Sequence, residues 1–331
     1  MADVARGAGV SKMTVSRALT GKGVSAETRT RILAVVERLG YVPDASAGTL
    51  SSGRSAFVSA LVPTINNSNF AETARGLTDA LAPAGLQLLL GYTEYRPDRE
   101  EELVRAMLRH RPEALVMTGG DHTPATGAML ARAGLPVVET WDEPAEPIDQ
   151  VIGVSNAGAA VAMVRHLVER GYRRIGYLGG ELGLDRRGVE RERGYMEALA
   201  ALGLGAPRVI RHGIPPLAME YGAEAVRRLV AQWPDTDAVF CVSDLHAFGV
   251  LMECHRQGWA VPGRLAVAGF GDFDVSRWSW PRITTVSVDA YGLGRQAGEA
   301  LLAAREARRL GRRHAPVRVT AELAVLARES T

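Results

Sequence analysis

The chain has 331 residues, too many for one small core and enough for two or three domains. Hydrophobic residues make up 47%, which excludes a largely disordered chain. The formal net charge of +2 is uneven: residues 1–55 hold eight Lys or Arg against four acids, a net of +4, which leaves −2 for the remainder. A basic head on a slightly acidic body is the electrostatic footprint of a nucleic-acid module joined to something else.

A short apolar helix through Val4, Ala5 and Ala8 opens the chain. Gly9 then makes a sharp turn, and Ser11 is placed to accept from the backbone N–H groups of the next helix's first turn. Val15 and Leu19, four apart, commit one face of that helix to packing. Lys12, Met13, Thr14, Ser16 and Arg17 are left facing outward, a basic and hydroxyl-bearing surface suited to phosphates and base edges. These eleven residues alone fit an ordinary helical hairpin as well as a DNA-reading one. Ser25 with Glu27 starts a third helix, which runs to about Leu39 and stops at Gly40. Residues 45–53, ASAGTLSSG, are poor in helix formers and read as a flexible linker. Leu50, the only large apolar residue in that stretch, also suits a wedge for a minor-groove step on a segment that folds on DNA.

From Phe57 onward the pattern becomes strand, polar loop, helix, repeated. Strands are expected at 57–62, 86–92, 114–118, 137–140, 151–154, 174–178, 238–242 and 265–270, with helices such as 157–170 and 222–232 between them. This alternation predicts an α/β body of doubly wound parallel sheets, and its length implies two subdomains. A last strand and helix, 284–308, are expected to cross back to the first sheet, with the tail after Pro316 finishing the second. Ligands of such folds bind beyond the carboxyl ends of the strands. The residues there include Asn66 to Phe70, Tyr95, His122, Trp141, Asn156, Ser243 and Asp272, a set rich in amides, hydroxyls and rings that fits a polyhydroxylated ligand. Arg191, among Arg186, Arg187, Glu190, Glu192 and Arg193, fits a solvated helix face on spacing alone.

Other chemistry finds little support. Gly292, Gly294 and Gly298 are the nearest approach to a dinucleotide fingerprint and follow a poor strand. Gly153 to Ala157 miss the nucleophile elbow by the last glycine. The seven histidines form no H-E-x-x-H, Cys241 and Cys254 have no metal spacing, and no cofactor or metal is called for. The N-terminus lacks an apolar h-region and no eighteen apolar residues run together, so neither export nor a membrane span is expected.

The stretches DVARGAGVSKMTVSRAL from Asp3, VSAETRTRI from Val24, GYVPD from Gly40 and the Leu50 linker resemble the LacI/GalR family of bacterial transcriptional regulators. Within it, SKMTVSR from Ser11, LVPTINNSNFAE from Leu61, YRPDREEE from Tyr95, HTP from His122, AVFCVSD from Ala238 and AGFGD from Ala268 are most similar to the gluconate-repressor branch. The resemblance implies a helix-turn-helix head over 1–44 and a hinge over 45–55. It implies a periplasmic-binding-protein-like body over 56–331, with one subdomain from 56–156 plus 285–315 and the other from 157–284 plus 316–331. It further implies a non-enzymatic, cytoplasmic homodimer that reads palindromic operator DNA, probing the major groove with the second helix and the minor groove with Leu50. Lys12, Met13 and Ser16 are then the base readers, beside Ser11, while Thr14 and Arg17 hold phosphate. Asn69, Phe70, Thr118, His122, Trp141, Asn156, Arg191, Ser243 and Asp272 would hold a small effector, with Arg191 on the family's R-x-x-G position.

Two departures matter. Sugar-binding members place an acid directly after the G-F or G-Y of the last strand, whereas here Gly271 stands there and Asp272 follows. Loss of a carboxylate at that point favours an anionic ligand, so a sugar acid such as gluconate is expected, paired with Arg191. The Thr or Ser that caps the family's first helix is also missing before Ala2; either translation starts upstream or the head is less stable by about 1 kcal/mol. A transport-type sugar-binding module shares the expected body, but the basic head argues against it.

Overall fold

The computed structural model describes residues 1–19, 23–41, 55–181, 183–216 and 218–331. They form two compact units, Met1–Ser55 and Ala56–Thr331. The expected linker, with Leu50, lies outside the described residues.

The first unit holds α1 (Ala2–Ala8), α2 (Lys12–Leu19) and α3 (Ala26–Arg38). Gly9, at φ 64°, makes the left-handed turn out of α1. The Ser11 hydroxyl accepts the Thr14 N–H at 3.1 Å and so caps α2, while Ser25 does the same for Thr28 at the start of α3. Val4, Ala5, Ala8, Val15, Ala18, Ile32 and Val35 form a small dry core. Met1 supplies no side-chain cap to α1.

The second unit contains two six-stranded sheets. Sheet one carries β1 (Phe57–Val62), β2 (Gln87–Tyr92), β3 (Leu115–Thr118), β4 (Val137–Thr140), β5 (Gln150–Gly153) and β11 (Arg318–Thr320), in the order β11-β5-β4-β3-β1-β2. Sheet two carries β6 (Ile175–Gly179), β7 (Arg208–Arg211), β8 (Ala238–Cys241), β9 (Ala266–Phe270), β10 (Thr284–Val288) and β12 (Leu323–Leu326), in the order β12-β10-β9-β8-β6-β7. Every pairing is parallel except β10 with β12. Central strands such as β4 and β8 are buried at all four positions, as a sheet covered on both faces demands. Helices α4 (Ser68–Leu81), α5 (Pro97–Arg109), α6 (Pro124–Ala133) and α12 (Ala290–Arg309) serve the first lobe. Helices α7 (Asn156–Glu169), α8 (Arg186–Leu202), α9 (Met219–Gln232) and α10 (Asp244–Arg256), with the one-turn α11 (Asp274–Trp278), serve the second.

One expectation is corrected. Strand 284–288 does not cross to the first sheet: β10 pairs Thr284, Thr285 and Val286 with Ala268, Gly269 and Phe270 of β9 and stays in the second. Only α12 crosses, lying along α4. The tail then splits, with β11 joining β5 of the first sheet and β12 returning to β10. Each of these strands is a run of only three to five residues that either sheet could accept, so pairing partners decide and local pattern does not. Strand β7 was not foreseen, because its two apolar residues stand between arginines.

The glycines 294 and 298, considered above as a cofactor fingerprint, serve helix packing. A Cβ on Gly294 would fall 2.0 Å from the Thr73 carbonyl oxygen, and one on Gly76 would fall 2.1 Å from that of Tyr291. Helices α4 and α12 therefore touch backbone to backbone. Gly294→Ala should destabilise the body by about 1 to 3 kcal/mol through forced separation of the pair, read as a lower urea midpoint at unchanged m-value.

Candidate functional site

Beyond the carboxyl ends of both sheets lies a cleft of about 390 Å³. The first lobe contributes Asn69 and Phe70 from the start of α4, Tyr95 from the loop after β2 and Trp141 from the loop after β4. The second lobe contributes Asp185, Arg187 and Arg191 around the start of α8, Ser243 at the cap of α10, Phe270 at the end of β9 and Phe273 beyond it. Tyr95 and Trp141 hold left-handed backbone at φ 60° and 68°. Non-glycine residues in that region cost about 1 to 3 kcal/mol each and cluster where a side chain must be aimed.

Apolar walls and buried charge divide the cleft. Phe70 meets Trp141 edge to face at 5.7 Å, and the Trp141 indole N–H donates to the Thr73 hydroxyl at 3.1 Å, which locks the ring. Arg191 lies 4.4 Å above the Phe270 ring, donates through Nη1 to the Asn156 side-chain oxygen, and has Nη2 3.8 Å from the Asp185 carboxylate. Its Nε is buried with no hydrogen-bond partner among the described residues. Arg187, only 8% exposed, sits 5.7 Å from the ring centroids of both Phe70 and Tyr95, and among the described residues no carboxylate pairs with it. Burial pushes the Tyr95 phenol up, so it stays a neutral donor beside that guanidinium. The buried balance is two cations, Arg187 and Arg191, against the single anion Asp185. A site so arranged favours an anion that brings its own hydroxyls.

The expected effector residues are not all brought together. Asn69, Phe70, Trp141, Arg191 and Ser243 line the cleft. Asn156 stands behind it, donating its amide to the carbonyls of Trp141 and Val154 while accepting from Arg191, so it positions the arginine. Thr118 does not reach the cleft and lines a neighbouring cavity behind Tyr95 and Arg187. His122 turns away: its Nδ1 meets Glu100 at 2.7 Å and its Nε2 faces Glu139 at 3.5 Å in a buried ion triad.

Asp272 is also corrected. Gly271 takes φ 123° and Asp272 φ 54°, and the Asp272 carboxylate points to Arg277 and Arg328. Burial opposes its ionisation, but the two arginines hold it below the usual carboxylate range. A Cβ at 271 would lie 2.3 Å from the Phe273 ring, so the aromatic ring occupies the place that a side chain there would take. Tyr95 and Arg187 went unassigned. Tyr95 stands in the strand-end loops, but Arg187 is hidden among six neighbouring charges, and only burial distinguishes it.

In the head, Ser11, Lys12, Met13, Ser16 and Arg17 are exposed and Thr14 is half-buried, while Val15 and Ala18 face the core. Met13 is 65% exposed.

Residues 1–44 match the family described as bacterial regulatory proteins, lacI family, and residues 164–331 match the periplasmic binding protein-like domain. The HTH-type transcriptional regulator GntR of Escherichia coli K12 is 35% identical over 302 residues, 91% of this chain and 90% of that one. The chain belongs to the lacI family. Among solved structures, a lacI-family transcriptional regulator from Silicibacter pomeroyi superposes with a TM-score of 0.89 at 33% identity, covering 99% of this chain and 98% of that one. The transcription regulator GntR from Chromobacterium violaceum gives 0.76 at 35% identity over 83% and 98%. This lacI-family protein is a DNA-binding transcriptional regulator with a two-lobed ligand-binding body. No helix among its described residues is long and apolar enough to cross a membrane.

Proposed function

We propose that this regulator is a cytosolic homodimeric repressor whose affinity for a palindromic operator is set by a sugar acid, with gluconate the first candidate. The observation that carries the effector class is the buried excess of positive charge in the cleft, where Arg187 has no carboxylate partner among the described residues. A neutral sugar would leave that charge uncompensated at low dielectric, whereas a carboxylate pairs with it. Asn69 and Ser243 then read hydroxyls, and Phe70, Trp141 and Phe270 cover the carbon skeleton. Lys12, Met13 and Ser16 read base edges, Met13 by apolar contact alone; Thr14 and Arg17 hold phosphate, and Leu50 supplies the minor-groove wedge.

The acid-binding arginines come from the second lobe and most of the rings from the first. A bound ligand therefore bridges the lobes, and closure around it changes the spacing of the two heads of the dimer. A coupling of about 1 to 3 kcal/mol makes an appreciable switch. Binding, not turnover, is the output. A thermal-unfolding series with gluconate, related aldonates, glucose and galactose tests the effector class. An aldonate at a hundred times its Kd should add about 2.7 kcal/mol. Stabilisation by the neutral sugars and none by any aldonate would overturn the assignment.

A further inference from the structure

The end of the first lobe opposite the cleft carries a concentration of arginine that no ligand pairing explains. In a parallel sheet every strand starts at one edge and the covering helices end there. Helices α5, α6 and α12 accordingly bring Arg109, Arg132 and Arg308 to the edge where β1, β3, β4 and β5 begin. Arg111 follows α5, and Arg312 and Arg313 follow α12. The Arg305–Glu113 pair at 2.7 Å ties the end of α12 to the start of β3 and confirms that they share one edge. All six of these arginines are exposed, and none has a carboxylate at ion-pair distance among the described residues. The acids nearby are already engaged: Glu113 by Arg305, Glu306 by Arg309, and Asp149 by the Val137 N–H. Arg308, Arg312 and His314 line a groove of about 450 Å³ at this end.

Arginine in the last turn of a helix complements the helix dipole, which accounts for Arg109, Arg132 and Arg308. It does not account for Arg111, Arg312 and Arg313, which lie past the helix ends. Residues 56–331 are net acidic, so this is a local concentration against the overall balance. The chain enters the body at the same edge, through Ala56 into β1, and so tethers the DNA-binding head to it. A tether of this kind holds a weak second contact at high effective concentration. We infer that this arginine-rich end of the body is an accessory DNA surface, binding phosphates that flank the operator without reading sequence. Arginine on phosphate gives charge-assisted, bidentate contacts that need no fixed register.

The test uses the full chain and an operator selected by it from random duplexes. One duplex ends at the site; the other extends one helical turn, about 34 Å, past each end. The wild type should bind the longer duplex more tightly, with a steeper fall of log K with log salt. The triple variant Arg111→Gln, Arg312→Gln, Arg313→Gln should lose that gain. Its salt slope on the long duplex should drop by about 0.9 per lost phosphate contact. Affinity for the short duplex, melting temperature and effector response should stay at wild-type values. Equal wild-type affinity for the two duplexes overturns the inference, as does a variant that keeps the gain. Weaker binding of the variant to the short duplex also overturns it, because the arginines would then act through the head or the fold.

Discussion

Arg187→Met is expected to weaken binding of an acidic effector by about 2 to 5 kcal/mol, at least thirtyfold in Kd, while leaving operator binding by the free protein intact. The physical case rests on the contrast between the two buried arginines. Arg191 is already partnered by the Asn156 oxygen and the Phe270 face, with Asp185 at 3.8 Å, so its removal would leave a buried carboxylate and amide unsatisfied as well as a gap. Among the described residues Arg187 has two aromatic faces and no carboxylate, so its charge is compensated when a ligand supplies the anion. The variant should therefore show two effects of opposite sign: looser effector binding, and an unliganded body at least as stable as wild type, because an uncompensated buried charge is gone. Isothermal titration and urea unfolding read the two separately. Unchanged affinity would place the effector's acid group elsewhere. Arg187→Lys should recover only part of the loss, since it restores the charge without the planar fork.

The second large effect concerns His122, which sequence alone offered to the ligand and the fold gives to the first lobe's core. Its side chain is 6% exposed. Burial disfavours its charged form, yet Glu100 and Glu139 more than reverse that and take its pKa up to about 9. The folded value stands above the unfolded one of about 6.5, so the native state holds the proton more tightly. The stabilisation is then fully present below about pH 6.5 and is lost as pH rises through about 9. Linkage puts it at about 3 kcal/mol. Urea midpoints of the wild type should fall across that interval, and those of His122→Gln should be lower at pH 6.5 and nearly flat above it. A wild-type profile as flat as the variant's would show that the triad does not hold a proton through folding.

Periodicity and capping made much of the structure legible in advance. The turn at Gly9, the caps at Ser11 and Ser25 and the outward set from Lys12 to Arg17 are local facts, decided within four residues of themselves. The alternation of buried strands and helices is likewise local, and with it comes the doubly wound class and a cleft at the strand ends. The side chains that meet in that cleft were only partly legible. Asn69, Phe70 and Trp141 stand there because loops after parallel strands must converge. Asp272 stood in the same kind of loop, but its positive φ and two arginines drawn from residues 277 and 328 turn its carboxylate away.

By itself, then, the sequence determined the two-part organisation, the helix-turn-helix head and the class of the body, since each depends on hydrophobic period and short-range hydrogen bonds. Tertiary structure alone decided which charges are buried and which are paired. Arg187 and Arg193 look alike in the chain; one is buried beside two rings with no counter-ion among the described residues, and the other bridges Glu190 and Glu197 in solvent. Likewise the route of 284–326 between the sheets, and the gathering of Arg111, Arg312 and Arg313 at one edge, follow from strand pairing between segments far apart in sequence. The energy of a charge depends on its surroundings in three dimensions, which no local pattern carries.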